Sequence, residues 1–203
     1  MNAPAPLRAD LARIADWVEP QSRVLDLGCG DGSLLAWLQS HKQCTVYGVE
    51  IDHAKLLSCI SKGLSVVQGD IDQGLSLLGH AKFDVIILSQ VLQATHRTEQ
   101  VLREIARIGR KAIVSSPNFG HWTHAWSLLC GQMPVNSRLP YQWFDTPNLH
   151  FATTKDFERL LQQLQLSVTR REYLQERGTD MEAVSLLSSL RATLAIYEFH
   201  AHP

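Results

Sequence analysis

Val24-Leu25-Asp26-Leu27-Gly28-Cys29-Gly30-Asp31-Gly32 runs from an apolar, strand-like segment into three closely spaced glycines, and residues 33–41 continue directly as helix. A strand that turns into a helix through glycines exposes bare backbone at the turn, because no Cβ stands between main chain and ligand. In a doubly wound sheet the first such turn is where nucleotides bind. A tight turn that merely needs positive φ uses the same residues, so the glycines alone do not decide between a site and a bend.

The segments around this turn set the fold. Residues 24–27, 45–49, 65–68, 83–88 and 112–115 are short apolar runs, near-continuous rather than alternating, as strands buried on both faces of a parallel sheet should be. Helical stretches separate them at residues 33–41, 54–61 and 98–108; in the last, Val101, Leu102, Ile105 and Ile108 form one apolar stripe. A further helix, residues 7–17, precedes the first strand and ends near Pro20. Strand–helix alternation of this kind predicts right-handed crossovers and a doubly wound sheet. The tail reads as a helix (155–165), a strand (166–174) and a last strand (192–199), a hairpin-like pair added at a mixed edge. The expectation is an α/β, doubly wound, mostly parallel seven-stranded sheet with an antiparallel last strand. Residues 1–203 are expected to form one domain, without repeats or a low-complexity linker.

Composition narrows the function. A chain of 203 residues with 45% hydrophobic and 19% charged residues is an ordinary globular protein. Its formal net charge of -1, without a long basic run, gives a nucleic-acid partner no electrostatic footprint. No stretch approaches the ~20 apolar residues that span a bilayer, and Met1-Asn2-Ala3-Pro4-Ala5-Pro6 lacks the basic and apolar regions of a signal peptide. Cys29, Cys44, Cys59 and Cys130 are scattered, with no metal-type pair, and read as buried free thiols of a reducing compartment. The expected location is the cytoplasm.

Acids at successive strand ends turn the glycine bend into a candidate pocket. Glu50, followed by Ile51, ends the second strand about twenty residues after the glycines, where a carboxylate accepts ribose hydroxyls. Asp70 and Ile71 follow the third strand, an acceptor for a purine amine beside an apolar neighbour; Ser89 and Gln90 close the fourth. A strand-end Asp also serves to cap the next helix. A dinucleotide site usually carries a third glycine where this chain has Ser33, and Asp26 is a poor neighbour for a pyrophosphate but a good one for an ammonium. These residues favour a ligand with an adenosine end and a cationic amino-acid end.

The stretch from Asp26 to Gly32 resembles motif I of the class I S-adenosylmethionine-dependent methyltransferases, and Gly48-Val49-Glu50 resembles their second motif. That resemblance implies S-adenosylmethionine, or its product S-adenosylhomocysteine, as cofactor. Asp26, Gly28, Cys29, Gly30, Asp31 and Gly32 would hold the methionine moiety, Glu50 and Ile51 the ribose, Asp70 and Ile71 the adenine, with Ser89 and Gln90 near the methionine end. Three longer blocks (residues 83–94, Ser116-Pro117-Asn118-Phe119-Gly120-His121-Trp122, and residues 139–148) resemble the MetW family of methionine-biosynthesis proteins. Membership would imply work alongside homoserine O-acyltransferase; it does not assign a methyl acceptor.

Residues 117–152 form a long excursion after the fifth strand, rich in Asn118, His121, Trp122, His124, Trp126, Tyr141, Trp143, Asp145 and His150. Long segments of this kind usually have a function. The expectation is a capping or docking insertion above the sheet's carboxyl edge: an acceptor pocket, or a protein-docking surface anchored by Trp, Tyr and Arg138. His121 and His124 sit three apart but have no third ligand at defined spacing, so no metal site is expected. No motif fixes a catalytic residue; His121, His124 and His150 are the candidate bases by residue type alone. The function classes are therefore a cofactor-binding partner of homoserine O-acyltransferase, a small-molecule methyltransferase, and, on the βαβ layout only, a nicotinamide-dependent oxidoreductase.

Overall fold

The computed structural model describes residues 7–75, 82–136 and 139–201; residues 1–6 and Arg138 lie outside that set. Strands β1 (Arg23–Leu27), β2 (Thr45–Glu50), β3 (Ser65–Gln68), β4 (Phe83–Ser89) and β5 (Gly109–Pro117) pair in parallel in the order β3-β2-β1-β4-β5. Between or before them lie helices α1 (Ala9–Asp16), α2 (Ser33–Lys42), α3 (His53–Ser61) and α4 (Thr98–Ile108). After β5 come α5 (Trp122–Leu129), α6 (Thr154–Gln163), β6 (Leu166–Arg177), β7 (Asp180–Ala183), α7 (Ser188–Arg191) and β8 (Leu194–Ala201).

The apolar runs are continuous because each strand feeds two cores. Successive side chains point to opposite faces. Leu25, Leu27, Ile86, Leu88, Ala112 and Val114 therefore pack with Val101, Leu102 and Ile105 of α4 and Phe157 and Leu161 of α6. Val24, Val85, Ile87 and Ile113 pack on the other face with Ile14 of α1, Leu34, Leu35 and Leu38 of α2, and Cys59 of α3. Each fully buried aliphatic side chain contributes ~1.5–3 kcal/mol, so the two clusters hold the sheet from both sides. β3 departs from the expected double burial: it is an edge strand, and Val67 is half-exposed.

The sheet has eight strands, not the expected seven. β8 inserts between β5 and β6, antiparallel to both, and β7 folds back on β6 through Gly178 at φ 61°. Asp180-Met181-Glu182-Ala183 is short and mostly exposed at the sheet's edge, so it carries no apolar run to mark it as a strand.

Topology also places the crevice. The chain builds β2 and β3 to one side of β1, then returns to build β4 and β5 on the other. At such a reversal the loops after neighbouring strands diverge, leaving a cleft at their carboxyl ends. β1 and β4 are those neighbours, with Asp26 opposite Ile87.

Candidate functional site

The glycine loop leaves β1 at this reversal. Gly28, Gly30 and Gly32 all adopt positive φ (76°, 58° and 76°). Their surroundings differ. A Cβ on Gly28 would stand 2.6 Å from Val91 Cγ2, and one on Gly32 2.5 Å from Leu64 Cδ1. A Cβ on Gly30 would meet nothing within 4 Å. Gly28 and Gly32 thus let protein pack against the loop, whereas Gly30 opens bare backbone to the crevice.

Two carboxylates frame the loop. Glu50, 5% exposed, accepts Gly30 N–H on Oε2 at 2.7 Å, and Ile51 and Asp52 N–H on Oε1 at 3.0 and 2.9 Å. Asp26, 3% exposed, has its Oδ1 buried with no hydrogen-bond partner in the protein. Burial pushes its carboxyl up to about 7, and the neighbouring Glu50 charge adds to the rise. A buried acceptor without a donor costs ~1–3 kcal/mol; a cationic ligand group at this point would supply the donor and favour the charged form. Asp26 also meets an open-backbone glycine beside it, the arrangement expected for an ammonium next to a nucleoside.

The remaining predicted residues fall at the same edge but offer different groups. Cys29 turns its thiol into the core, 4.0 Å from Cys59 Sγ, where burial holds it well above its ordinary value. Asp31 points outward and pairs with Lys62 at 3.0 Å. Ile51 is exposed. Asp70 caps the short turn Ile71–Gln73, its Oδ1 accepting Asp72 N–H at 2.9 Å, while Ile71 packs against the core edge. Ser89 Oγ accepts from Ser115 Oγ at 3.4 Å. Gln90 has φ 54°, and its Nε2 donates to Asp10 Oδ2 at 2.7 Å.

That last bond brings in residues the sequence did not single out. Asp10, in the first turn of α1, is fully buried and holds the Arg8 guanidinium through Nε at 2.6 Å and Nη2 at 2.9 Å. Only the Arg-x-Asp spacing at a helix start hinted at this network. Gln93 is a second such residue: its carbonyl accepts Leu149 and His150 N–H at 2.8 and 3.1 Å, tying the excursion to the end of β4.

The excursion divides into a buried anchor and an exposed face. Asn118 is buried and ties β5's end to the chain before β8, donating to Ser189 and Ala192 carbonyls at 2.8 Å each. His124 Nδ1 lies 3.1 Å from Phe119 O and Nε2 2.9 Å from Asn136 Nδ2. Burial lowers the His124 pKa, so the neutral ring donates from Nδ1 and accepts at Nε2, a structural rather than a titrating histidine. Beneath this segment lies a cavity of about 710 Å³, lined by Leu92, Gln93, Phe119, His124, His150 and Phe157 among others. Outside it, α5 exposes Trp122, Trp126 (64%) and Leu129 (80%) at helical spacing, and Trp143 (72%) stacks edge-on against Phe144. Among the described residues no three His, Cys, Asp or Glu side chains converge on a metal position. Among the same residues, no helix is long and apolar enough to cross a membrane.

Known proteins share this architecture. The chain aligns with a S-adenosylmethionine-dependent methyltransferase of Archaeoglobus fulgidus at TM-score 0.67 and 18% identity, covering 94% of this chain and 90% of that one. A Thermotoga maritima S-adenosylmethionine-dependent methyltransferase, a possible histamine N-methyltransferase, aligns at 0.66 and 14%, covering 95% and 87%. At these identities the likeness is one of fold. In sequence, the bifunctional methionine biosynthesis protein MetXA/MetW of Rhodopirellula baltica is 31% identical over 210 residues, covering 96% of this chain. The match covers 33% of that longer protein, so the chain spans about a third of its relative. Residues 8–199 match the profile of the family Methionine biosynthesis protein MetW, and with strand order, glycine loop and excursion all in place, the chain belongs to the MetW family.

Proposed function

We propose that the chain binds S-adenosylmethionine in the crevice between β1 and β4 and acts with homoserine O-acyltransferase in methionine biosynthesis. One observation carries the binding half: the partnerless, buried Oδ1 of Asp26 beside the open backbone of Gly30. The cofactor's ammonium supplies the donor Asp26 lacks. Main-chain groups from Gly28 to Gly32 cradle the methionine moiety, with Cys29 and Asp31 contributing backbone only. Glu50 has one acceptor position left after its three backbone bonds, which serves a ribose hydroxyl, with Ile51 flanking it. Asp70 and Ile71 border the adenine; Ser89 and Gln90 lie toward the methionine end. The class I methyltransferase fold of the structural neighbours supports this cofactor over a nicotinamide dinucleotide.

The partnership draws support from two sides. In the Rhodopirellula protein a MetW portion shares one polypeptide with MetXA. In this chain, residues 117–152 act as a docking insertion, whose Trp122, Trp126 and Leu129 stripe is the kind of exposed apolar patch that marks a protein interface. Because the cofactor is itself made from methionine, its occupancy would report the pathway's output to the partner.

Isothermal titration with S-adenosylmethionine, repeated with purified homoserine O-acyltransferase, tests both halves. Saturable binding and an association that responds to the cofactor are expected. No heat with S-adenosylmethionine removes the first half; no association with or without it removes the second. The 710 Å³ cavity favours a second reading, methyl transfer to a small molecule, since acceptor sites of this size are usual. Cell extract incubated with methyl-labelled cofactor should then yield a labelled small molecule. Intact binding with no labelled product rejects that reading.

A further inference from the structure

We infer that Arg8 is the residue that receives the carboxylate of the ligand's amino-acid end, and so makes the crevice specific for an intact amino acid; this rests on reading the crevice as a S-adenosylmethionine site. The argument begins with charge. Asp10, Asp26, Asp31 and Glu50 all surround or border the glycine loop and the end of β4. Such an acidic rim attracts a sulfonium and an ammonium but repels the carboxylate of the same ligand, unless a cation stands there. Lys62, also against the loop, is committed to Asp31: its Nζ donates to the main-chain oxygen at 2.6 Å and to Oδ2 at 3.0 Å.

Arg8 is differently placed. Its guanidinium is held by the hydrogen bond to Asp10, and the fields of Asp10 and Asp31 further favour its charge. It therefore stands between α1 and the glycine loop. Asp10 is anchored to Gln90 at the end of β4, so the fork hangs from one wall of the crevice and feels the acid of the other. Two of its five N–H groups bind Asp10. The other three face away from that carboxylate, and the side chain remains 63% exposed.

The pair is hard to explain as helix capping. An acid in the first turn suits the helix dipole, but a cation at the N-cap opposes it. Complete burial of Asp10 against a glutamine of a distant strand is more than a cap requires. A planar fork pre-set by a buried acid is the geometry that receives a carboxylate through paired hydrogen bonds.

The test titrates the full chain with S-adenosylmethionine, decarboxylated S-adenosylmethionine and methylthioadenosine. Wild type should prefer the intact cofactor over the decarboxylated one by ~10–100-fold. Arg8→Gln should abolish that preference while leaving methylthioadenosine affinity unchanged, and Arg8→Lys should keep part of it. A preference that survives in Arg8→Gln overturns the assignment. So does an equal loss for all three ligands, which would mark Arg8 as structural. If wild type binds none of the three, the cofactor reading itself falls and takes this role with it.

Discussion

Glu50 Oε2 accepts the main-chain N–H of Gly30 at 2.7 Å, so the acid at the end of β2 holds the glycine loop that leaves β1. A strand-end carboxylate is thereby both a candidate ligand for a ribose and a clamp on the backbone that would cradle the rest of the molecule. The two roles separate by substitution.

Glu50→Ala strips an acceptor from three main-chain N–H groups. Water replaces part of this at a half-open site, so thermal or urea denaturation without ligand should show a loss of ~1–3 kcal/mol. Affinity for S-adenosylmethionine should fall by ~10–100-fold. Glu50→Gln keeps one oxygen for Ile51 and Asp52 but turns an amide toward Gly30, so it should lose affinity while keeping most of its stability. Unchanged affinity in both variants would show that Glu50 does not contribute to the pocket.

The three glycines should respond differently to alanine. At Gly28 and Gly32 the new methyl meets Val91, or Leu64 and Cys59 Sγ, at 2.5–2.8 Å, on top of an unfavourable positive φ. Overpacking and backbone strain together cost on the order of 2–5 kcal/mol, so both variants should fold poorly. Gly30→Ala meets open space and bears only the strain of its φ, about 1–2 kcal/mol. It should remain folded and yet bind S-adenosylmethionine poorly, because the methyl occupies the crevice. Circular dichroism melts and titration calorimetry on the three variants measure this; a well-binding Gly30→Ala would place the ligand elsewhere.

How much of this was legible beforehand follows from the range of the interactions. α4 coincides with the predicted 98–108 because its stripe of Val101, Leu102, Ile105 and Ile108 is a local pattern. β1, β2 and β4 were equally plain, since burial on both faces leaves an unbroken apolar run. β5 extends to Gly109–Pro117, beyond the predicted 112–115, because its polar ends are paired by β4 and β8 rather than marked by composition. β7 was invisible because an exposed four-residue edge hairpin needs no apolar pattern. In the site, the glycine loop and Asp26 are read from adjacent residues, whereas the Asp10–Gln90 bond joins positions 80 apart, which no single-chain spacing can encode. Likewise Asp70 looked like a ligand or a cap, and its bond to Asp72 N–H makes it at least the latter.

Asp26 should make the ligand-free protein sensitive to pH near neutrality. Burial, then Glu50, raises its carboxyl from 3.8 to about 7. Between those values the folded protein holds a proton that the unfolded chain has released, so stability falls as pH rises through the window and the full penalty stands above about 7. The melting temperature without ligand should therefore decline from about pH 5 to about pH 8, and Asp26→Asn should flatten the decline. Binding runs the other way: the ionised carboxylate receives the ammonium, so affinity for S-adenosylmethionine should rise up to about pH 7 and level off. Asp26→Asn should bind weakly at every pH. A wild-type affinity flat across that range would mean Asp26 does not face the ligand.

The exposed stripe on α5 yields the last expectation. Trp122, Trp126 and Leu129 lie on one side of the helix, while His124 on the other side is locked to Phe119 and Asn136. Replacing the outward tryptophans therefore leaves the anchor of the excursion intact and removes little buried surface. Trp122→Ser with Trp126→Ser should keep the melting temperature and the affinity for S-adenosylmethionine, whose crevice is built from β1, β2 and β4. Association with homoserine O-acyltransferase should weaken by at least ~30-fold, since interface tryptophans commonly contribute 2 kcal/mol or more. Pull-down with the purified acyltransferase, alongside calorimetry with the cofactor, reads both quantities on one preparation. Undiminished association would move the interface off α5, whereas loss of cofactor binding together with association would point to misfolding of the segment between β5 and α6.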